Sequence, residues 1–285
     1  MHANPKISSS LVATLVICWL PQVLHAAYVD TVNNYHPVAY WRLGETTGST
    51  AFDVIGTQDG QYHDVTLGQS GAIVGDNNPA AGFSGNSYVE IPHNDAFLLD
   101  TGSIQLWFKD TGTSPKAGLF SKDSRNRDTG GHLTVLTSGR RVEVVLQDTK
   151  HDHRVKSDKL QLDTWHQVVF TFGNEGMKLY LDDTLADTDA YTGGLATTSG
   201  GIGNYEPIAL AANMWTSGDN MVTPLHNYFS GLVDEVAIYD YALAPSQVAT
   251  LYHAQATTIP EPGTVILLAL AGMFLFPRFG GRNSA

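Results

Sequence analysis

The chain has 285 residues, with 28 Asp and Glu against 16 Lys and Arg, a formal net charge of −12 and a single cysteine. An acidic surface of this kind repels phosphates, which argues against nucleic acid and remains compatible with divalent cations and neutral sugars. Aromatic residues make up 10% of the chain and glycines are spread evenly. With no long apolar run at a 3.6-residue period, the composition favours a turn-rich all-β sandwich over a helical domain.

Lys6 supplies a positive start and residues 11–20 (LVATLVICWL) an apolar run as long as a signal-peptide core; Ala26 offers a small residue for cleavage. Residues 1–26 are therefore expected to be an export signal. Cys18 falls inside it, so the exported protein must be held by its core and any bound metal rather than by disulfides.

Strands are expected at 40–43, 87–92, 103–109, 119–122, 132–136, 141–148, 165–172, 177–181 and 233–239. In the third of these Ile104, Leu106 and Phe108 alternate onto one face, with Gln105, Trp107 and Lys109 on the other. Gly173-Asn174-Glu175-Gly176 is rich in residues that tolerate positive φ and reads as a hairpin turn. Ala244-Pro245-Ser246-Gln247 begins a helix that ends near His253, with proline in its first turn. No linker interrupts the chain between 28 and 254, which is expected to be one domain, followed by a spacer at 255–259.

The phrases Ala39-Tyr40-Trp41-Arg42-Leu43-Gly44-Glu45, Ser103-Ile104-Gln105-Leu106-Trp107-Phe108-Lys109 and Trp165-His166-Gln167-Val168-Val169-Phe170-Thr171-Phe172 carry a resemblance. With Met177-Lys178-Leu179-Tyr180-Leu181-Asp182 and Gly231-Leu232-Val233-Asp234-Glu235-Val236-Ala237-Ile238-Tyr239, they stand in the order seen in laminin-G-like, concanavalin A-like jelly rolls. The resemblance implies an antiparallel two-sheet sandwich with one concave sheet.

Two carboxylates stand at the ends of apolar rows: Asp234 after Leu232 and before Val236 and Ile238, and Glu45 after Trp41 and Leu43. A carboxylate there must be neutralised, hydrogen-bonded or bound to metal. The family resemblance implies a structural Ca²⁺, which would make Glu45 and Asp234 its ligands and tie the start of the domain to its finish; capping of backbone amides is the other role open to them. Asp53 and Asp64, in glycine-flanked turns, read as Asx-turn formers.

Residues 150–156 are a basic island that reads as a solvated hairpin tip or an edge strand protected by charge, as a contact for an anionic polymer, or as half of a transition-metal site through His151 and His153. The segment 123–128 reads as an ordinary polar connection. Among Trp107, Trp165, Tyr205, Trp215 and Tyr228, the aromatics able to stack on a sugar, Trp165 reads as core. Trp215 lies in a loop-like stretch with Asn213 and Asp219, where it either binds a sugar face beside those polar groups or pins the loop to the sandwich. Asp234 and Glu235 are adjacent, so alternation sends them to opposite faces and denies them the paired-carboxylate geometry of a glycoside hydrolase. No nucleophile elbow, zinc-protease or P-loop motif is present, and no enzyme activity is expected.

The C-terminal sequence holds Pro260, Glu261 and Pro262, an apolar segment at 264–276, then Arg278 and Arg282. This order resembles the PEP-CTERM sorting signal of Gram-negative bacteria. It implies a membrane-tethered intermediate, processing by an exosortase-type protease and delivery to the cell surface or extracellular matrix. The function expected is a non-catalytic module for polysaccharide, with a structural or adhesive role toward envelope proteins as the alternative and a glycoside hydrolase a distant third.

Overall fold

The computed structural model describes residues 28–112, 114–125, 127–215 and 224–255. The export signal, the sorting segment and Asp219 lie outside the described residues. Helix α1 (Tyr28–Asn34) is followed by β1 (Ala39–Trp41), β2 (Thr50–Ala51), β3 (Gly60–His63), β4 (Thr66–Gln69), β5 (Ala80–Phe83) and β6 (Tyr88–Ile91). Next come β7 (Gly102–Asp110), β8 (Lys116–Lys122), β9 (His132–Ser138), β10 (Arg141–Gln147) and β11 (Asp152–Lys159). The described part finishes with β12 (Trp165–Phe172), β13 (Met177–Leu181), β14 (Thr184–Asp189), β15 (Ile208–Leu210), β16 (Gly231–Tyr239) and α2 (Pro245–Ala254).

The strands form two antiparallel sheets of eight, the sandwich architecture expected from the sequence. One sheet runs β14-β13-β12-β7-β16-β5-β4, with β1 also paired to β16; the other runs β11-β10-β9-β8-β15-β6-β3-β2. The pairing of Ala39 with Ile238 and of Trp41 with Val236 lays the first strand on the last.

Alternation in β7 does what its residue types dictate. Ile104, Leu106 and Phe108 enter the apolar layer between the sheets, among Trp41, Val168, Phe170, Val233 and Ile238. Trp107 faces the other way, into a second cluster with Tyr28, Val248 and Leu251, where α1 and α2 cover the sheet. Its indole N–H donates to the Tyr28 hydroxyl at 2.8 Å, and its ring stacks on Tyr252 of α2 at 5.7 Å. Helix α2 presents Val248, Leu251 and Ala254 to this layer, and its N-terminus is fixed by the Ala244 N–H donating to Gln247 Oε1 at 2.9 Å.

Strand β16 departs from simple alternation. Asp234 pairs with Trp107 but Ala237 pairs with Gln105, so β16 carries one extra residue, and Glu235 takes φ +54°. The row facing the inter-sheet core is therefore Val233, Val236 and Ile238 rather than Leu232, Asp234, Val236 and Ile238. The expectation that Asp234 and Glu235 point to opposite faces is also overturned. Both are buried, and both bond to residues of the helix-covered cluster, Asp234 to Ala72 and Glu235 to Tyr40.

The tight turns behave as their residues predict. Gly173 and Gly176 adopt positive φ between β12 and β13, and Gly139 and Arg140 do so between β9 and β10. Asp53 is an Asx-turn residue: its Oδ1 accepts the Ile55 N–H at 3.1 Å and the Tyr40 N–H at 2.9 Å.

Candidate functional site

A cleft of about 390 Å³ opens on the outer face of the β8–β11 half of its sheet. Alternation builds its floor. In β9, Leu133 and Val135 fill the inter-sheet core, so Thr134 and Leu136 turn outward; in β10, Val142, Val144 and Leu146 fill the core, so Val145 and Gln147 turn outward. The register sets Thr134, Val145 and Arg154 in one cross-strand row and His132, Gln147 and Asp152 in the next.

Two loops make the walls. One follows β8 and brings Asp123, Ser124, Arg125 and Arg127; the other follows β15 and brings Asn213 and Trp215. Asn213 is buried, forms an antiparallel bridge with His226, and accepts the Trp215 N–H on its Oδ1 at 2.8 Å. That Asx turn presents the Trp215 indole, 51% exposed, at the cleft, with His226 edge-on to it at 5.3 Å.

Charges in the cleft are tied together unevenly. Arg154 bridges Glu143 at 2.7 Å and Asp152 at 2.8 Å, and Asp152 also pairs with Arg127. Burial works to raise the Asp152 carboxyl, but hydrogen bonds from Gln147, Arg154 and Arg127 outweigh it and hold the group below its ordinary value. Asp123 is the opposite case. Burial pushes it up to about 7, although Thr134 Oγ1 donates to its Oδ2 at 3.0 Å. Its Oδ1 has no hydrogen-bond partner and stands 3.6 Å from His132 Nδ1. Next to it, the Lys122 amine is fully buried, donates to the Glu206 carbonyl, lies 3.1 Å from His93 Nδ1, and is pushed down by burial to about 7.

The carboxylates read from the sequence lie elsewhere. Glu45 accepts the Phe52 N–H on Oε1 and the Tyr62 hydroxyl on Oε2, and Asp234 accepts the Ala72 N–H on Oδ2 at 2.8 Å. Each thus caps a backbone amide. They are also neighbours of one phenol: burial, then Glu45 and Asp234, push the Tyr62 hydroxyl far above its ordinary value. Asp234 Oδ1 is buried with no hydrogen-bond partner, and burial followed by the Glu235 charge pushes its carboxyl well up. Among the described residues, no group of three or more His, Cys, Asp or Glu is arranged to hold a metal.

The basic island forms the tip of the β10–β11 hairpin and most of β11, the outermost strand of its sheet. His151 and His153 face Asp148 at 3.5 and 3.2 Å, and His153 stacks on Tyr191 at 3.6 Å. Of the other aromatics, Trp107 is buried under the helices, Tyr205 is exposed beside His93, and Tyr228 lies half-buried near Tyr88. Trp165 is only half-buried rather than core, because it starts β12 opposite Lys109, whose amine sits 5.7 Å from its ring. What the sequence reading missed is the 123–128 loop. Its two arginines in an acidic chain were a usable signal, but their convergence with Arg154 and Trp215 arises only in the folded sheet.

A search of curated protein sequences finds no match to this chain. Among solved structures, the chain is similar to the binding domain of botulinum neurotoxin serotype D, at 12% identity and TM-score 0.54, over 80% of this chain and 53% of that one. The receptor-binding domain of the C/D mosaic serotype gives 13% identity and TM-score 0.55, over 79% and 52%. This chain thus spans about half the length of those toxin chains. Domain 4 of an extracellular arabinanase from Geobacillus stearothermophilus, solved with arabinotriose, gives 20% identity and TM-score 0.50, over 76% of this chain and 98% of that one. At these identities the likeness is one of fold. Residues 83–249, more than half of the sequence, match the laminin-G family model described as the concanavalin A-like lectin/glucanases superfamily, and the chain belongs to that family.

Proposed function

We propose that this protein is a non-catalytic module that binds polysaccharide in the cleft between the 123–128 loop and Trp215. One observation carries the reading: an Asx turn holds a half-exposed indole at a cleft furnished with Asn213, Gln147, Thr134 and arginine side chains. A sugar ring lays its C–H face on an indole while its hydroxyls take amide and charged partners, and this cleft offers both. No hydrolytic role is proposed. Asp152 is tied to Arg127, Arg154 and Gln147, and Asp123 is only 5% exposed, so neither is presented to a glycosidic bond. The arabinanase domain with its bound arabinotriose is a relative in fold that fits this reading.

The proposal extends to where the module works. Export through residues 1–26, a domain at 28–254, and exosortase-type sorting through Pro260, Glu261 and Pro262 would place it at the surface or matrix of a Gram-negative cell. It also includes a structural Ca²⁺. Supporting the ion are the buried, unpartnered Asp234 Oδ1 and the electrostatic effect that Glu45 and Asp234 both have on the Tyr62 hydroxyl. Its further ligands would be backbone carbonyls and water.

Glycan-array binding by the full exported protein tests the reading. Signals on defined glycans that disappear in Trp215→Ala are expected. Capture of an envelope protein unaffected by free sugars, with an empty array, would favour the adhesive alternative.

A further inference from the structure

Resting on the glycan-binding reading, we infer that the cleft takes an anionic polysaccharide, one bearing carboxylate or sulfate groups. The cleft reverses the charge of the molecule around it. Acidic residues outnumber basic ones 28 to 16 over the whole chain, yet Lys116, Arg125, Arg127 and Arg154 line the cleft against only Asp123 and Asp152. Those two carboxylates do not cancel the four cations. Asp152 is shared between Arg127 and Arg154, and burial keeps Asp123 largely protonated below about pH 7.

Lys116 and Arg125 are exposed and have no ion-pair partner among the described residues. Arg127 and Arg154 already direct their Nη groups to Asp152, Glu143 and the Lys150 carbonyl, so Lys116 and Arg125 are the cations that meet the ligand, the Arg125 guanidinium through two parallel N–H donors to a carboxylate or sulfate. Trp215 on the opposite wall would meet the apolar face of the same sugar. An acidic surface elsewhere repels polyanions, so binding of this class would be confined to the cleft.

The test compares polygalacturonate, dextran sulfate and neutral dextran by calorimetric titration, beside the glycan array, with wild type and Lys116→Ala/Arg125→Ala. The expected result is tighter binding of at least one anionic polymer than of dextran, weakened about tenfold between low salt and about 0.5 M NaCl. The double variant should lose about tenfold for the anionic polymer. Which polyanion binds assigns carboxylate or sulfate. Binding restricted to neutral glycans, or polyanion binding indifferent to the double substitution, would overturn this inference and leave the glycan-binding reading intact. Absence of binding to every glycan and polymer would overturn both.

Discussion

Arg42, half-buried, and Glu235, fully buried, form an ion pair that ties the start of the domain to its finish. Arg42 Nη2 lies 2.7 Å from Glu235 Oε1, Glu235 is fully buried, and the Tyr40 hydroxyl donates to its other oxygen. Arg42 reaches Asp76 as well, at 2.6 Å. Because β1 lies directly on β16, one guanidinium clamps the first strand, the last strand and the loop before β5.

Removing one partner strands the other charge in a low-dielectric site, so Arg42→Ala should lower stability by about 3 kcal/mol. Glu45→Ala, which removes contacts to Phe52 and Tyr62 at a partly exposed side chain, should cost less. Urea unfolding of both variants checks the order, and a milder effect from Arg42→Ala would show that the pair does not close the domain.

Asp123 predicts a pH dependence. Its folded pKa is raised by burial from 3.8 to about 7, so the folded state holds the proton more tightly than the unfolded one. Its contribution is fully present below pH 3.8 and lost as pH rises through about 7. Asp123→Asn is neutral throughout and should gain on wild type by about 2–4 kcal/mol between pH 4 and pH 8. Denaturant midpoints of the two proteins at several pH values should diverge over that window and run parallel above it.

A structural Ca²⁺ at Asp234 predicts that chelation lowers the melting temperature of wild type and not of Asp234→Asn. An ion bound only to the folded state adds about 2.7 kcal/mol at a hundredfold excess over Kd. Equal sensitivity in both proteins would move the ion elsewhere, and insensitivity in both would remove it.

Mass spectrometry of surface material should find an N-terminus near Ala27 and loss of the residues beyond about Glu261. Retention of the apolar segment 264–276 in the mature protein would replace sorting with a permanent anchor.

The sandwich was legible where strands set apolar side chains against the core; β11 and β14 are long but mostly polar and exposed, and gave no such pattern. Strands β7, β12 and β13 emerged nearly residue for residue, since each sets apolar side chains against a buried layer at period two. Strands β2, β3, β4 and β15 run only two to four residues, too short for alternation to announce them, and β15 also takes its partners from far away, pairing Ile208 with Ile91. The Glu235 bulge was invisible for a related reason. An extra residue in an apolar strand shifts the core row from Leu232 to Val233 without changing the composition. The exposure of Trp215 followed from its Asn- and Gly-flanked setting. The cleft did not, because Arg125 and Arg154 meet only through the pairing of β8, β9, β10 and β11.

The most direct measurement is a calorimetric titration of an array-identified glycan into wild type, Trp215→Ala and, as a control outside the cleft, Trp165→Phe. Loss of the stacking surface should weaken binding by about tenfold, while Trp165→Phe stays near wild type. Unchanged affinity in Trp215→Ala would contradict the assignment of the cleft as the glycan site.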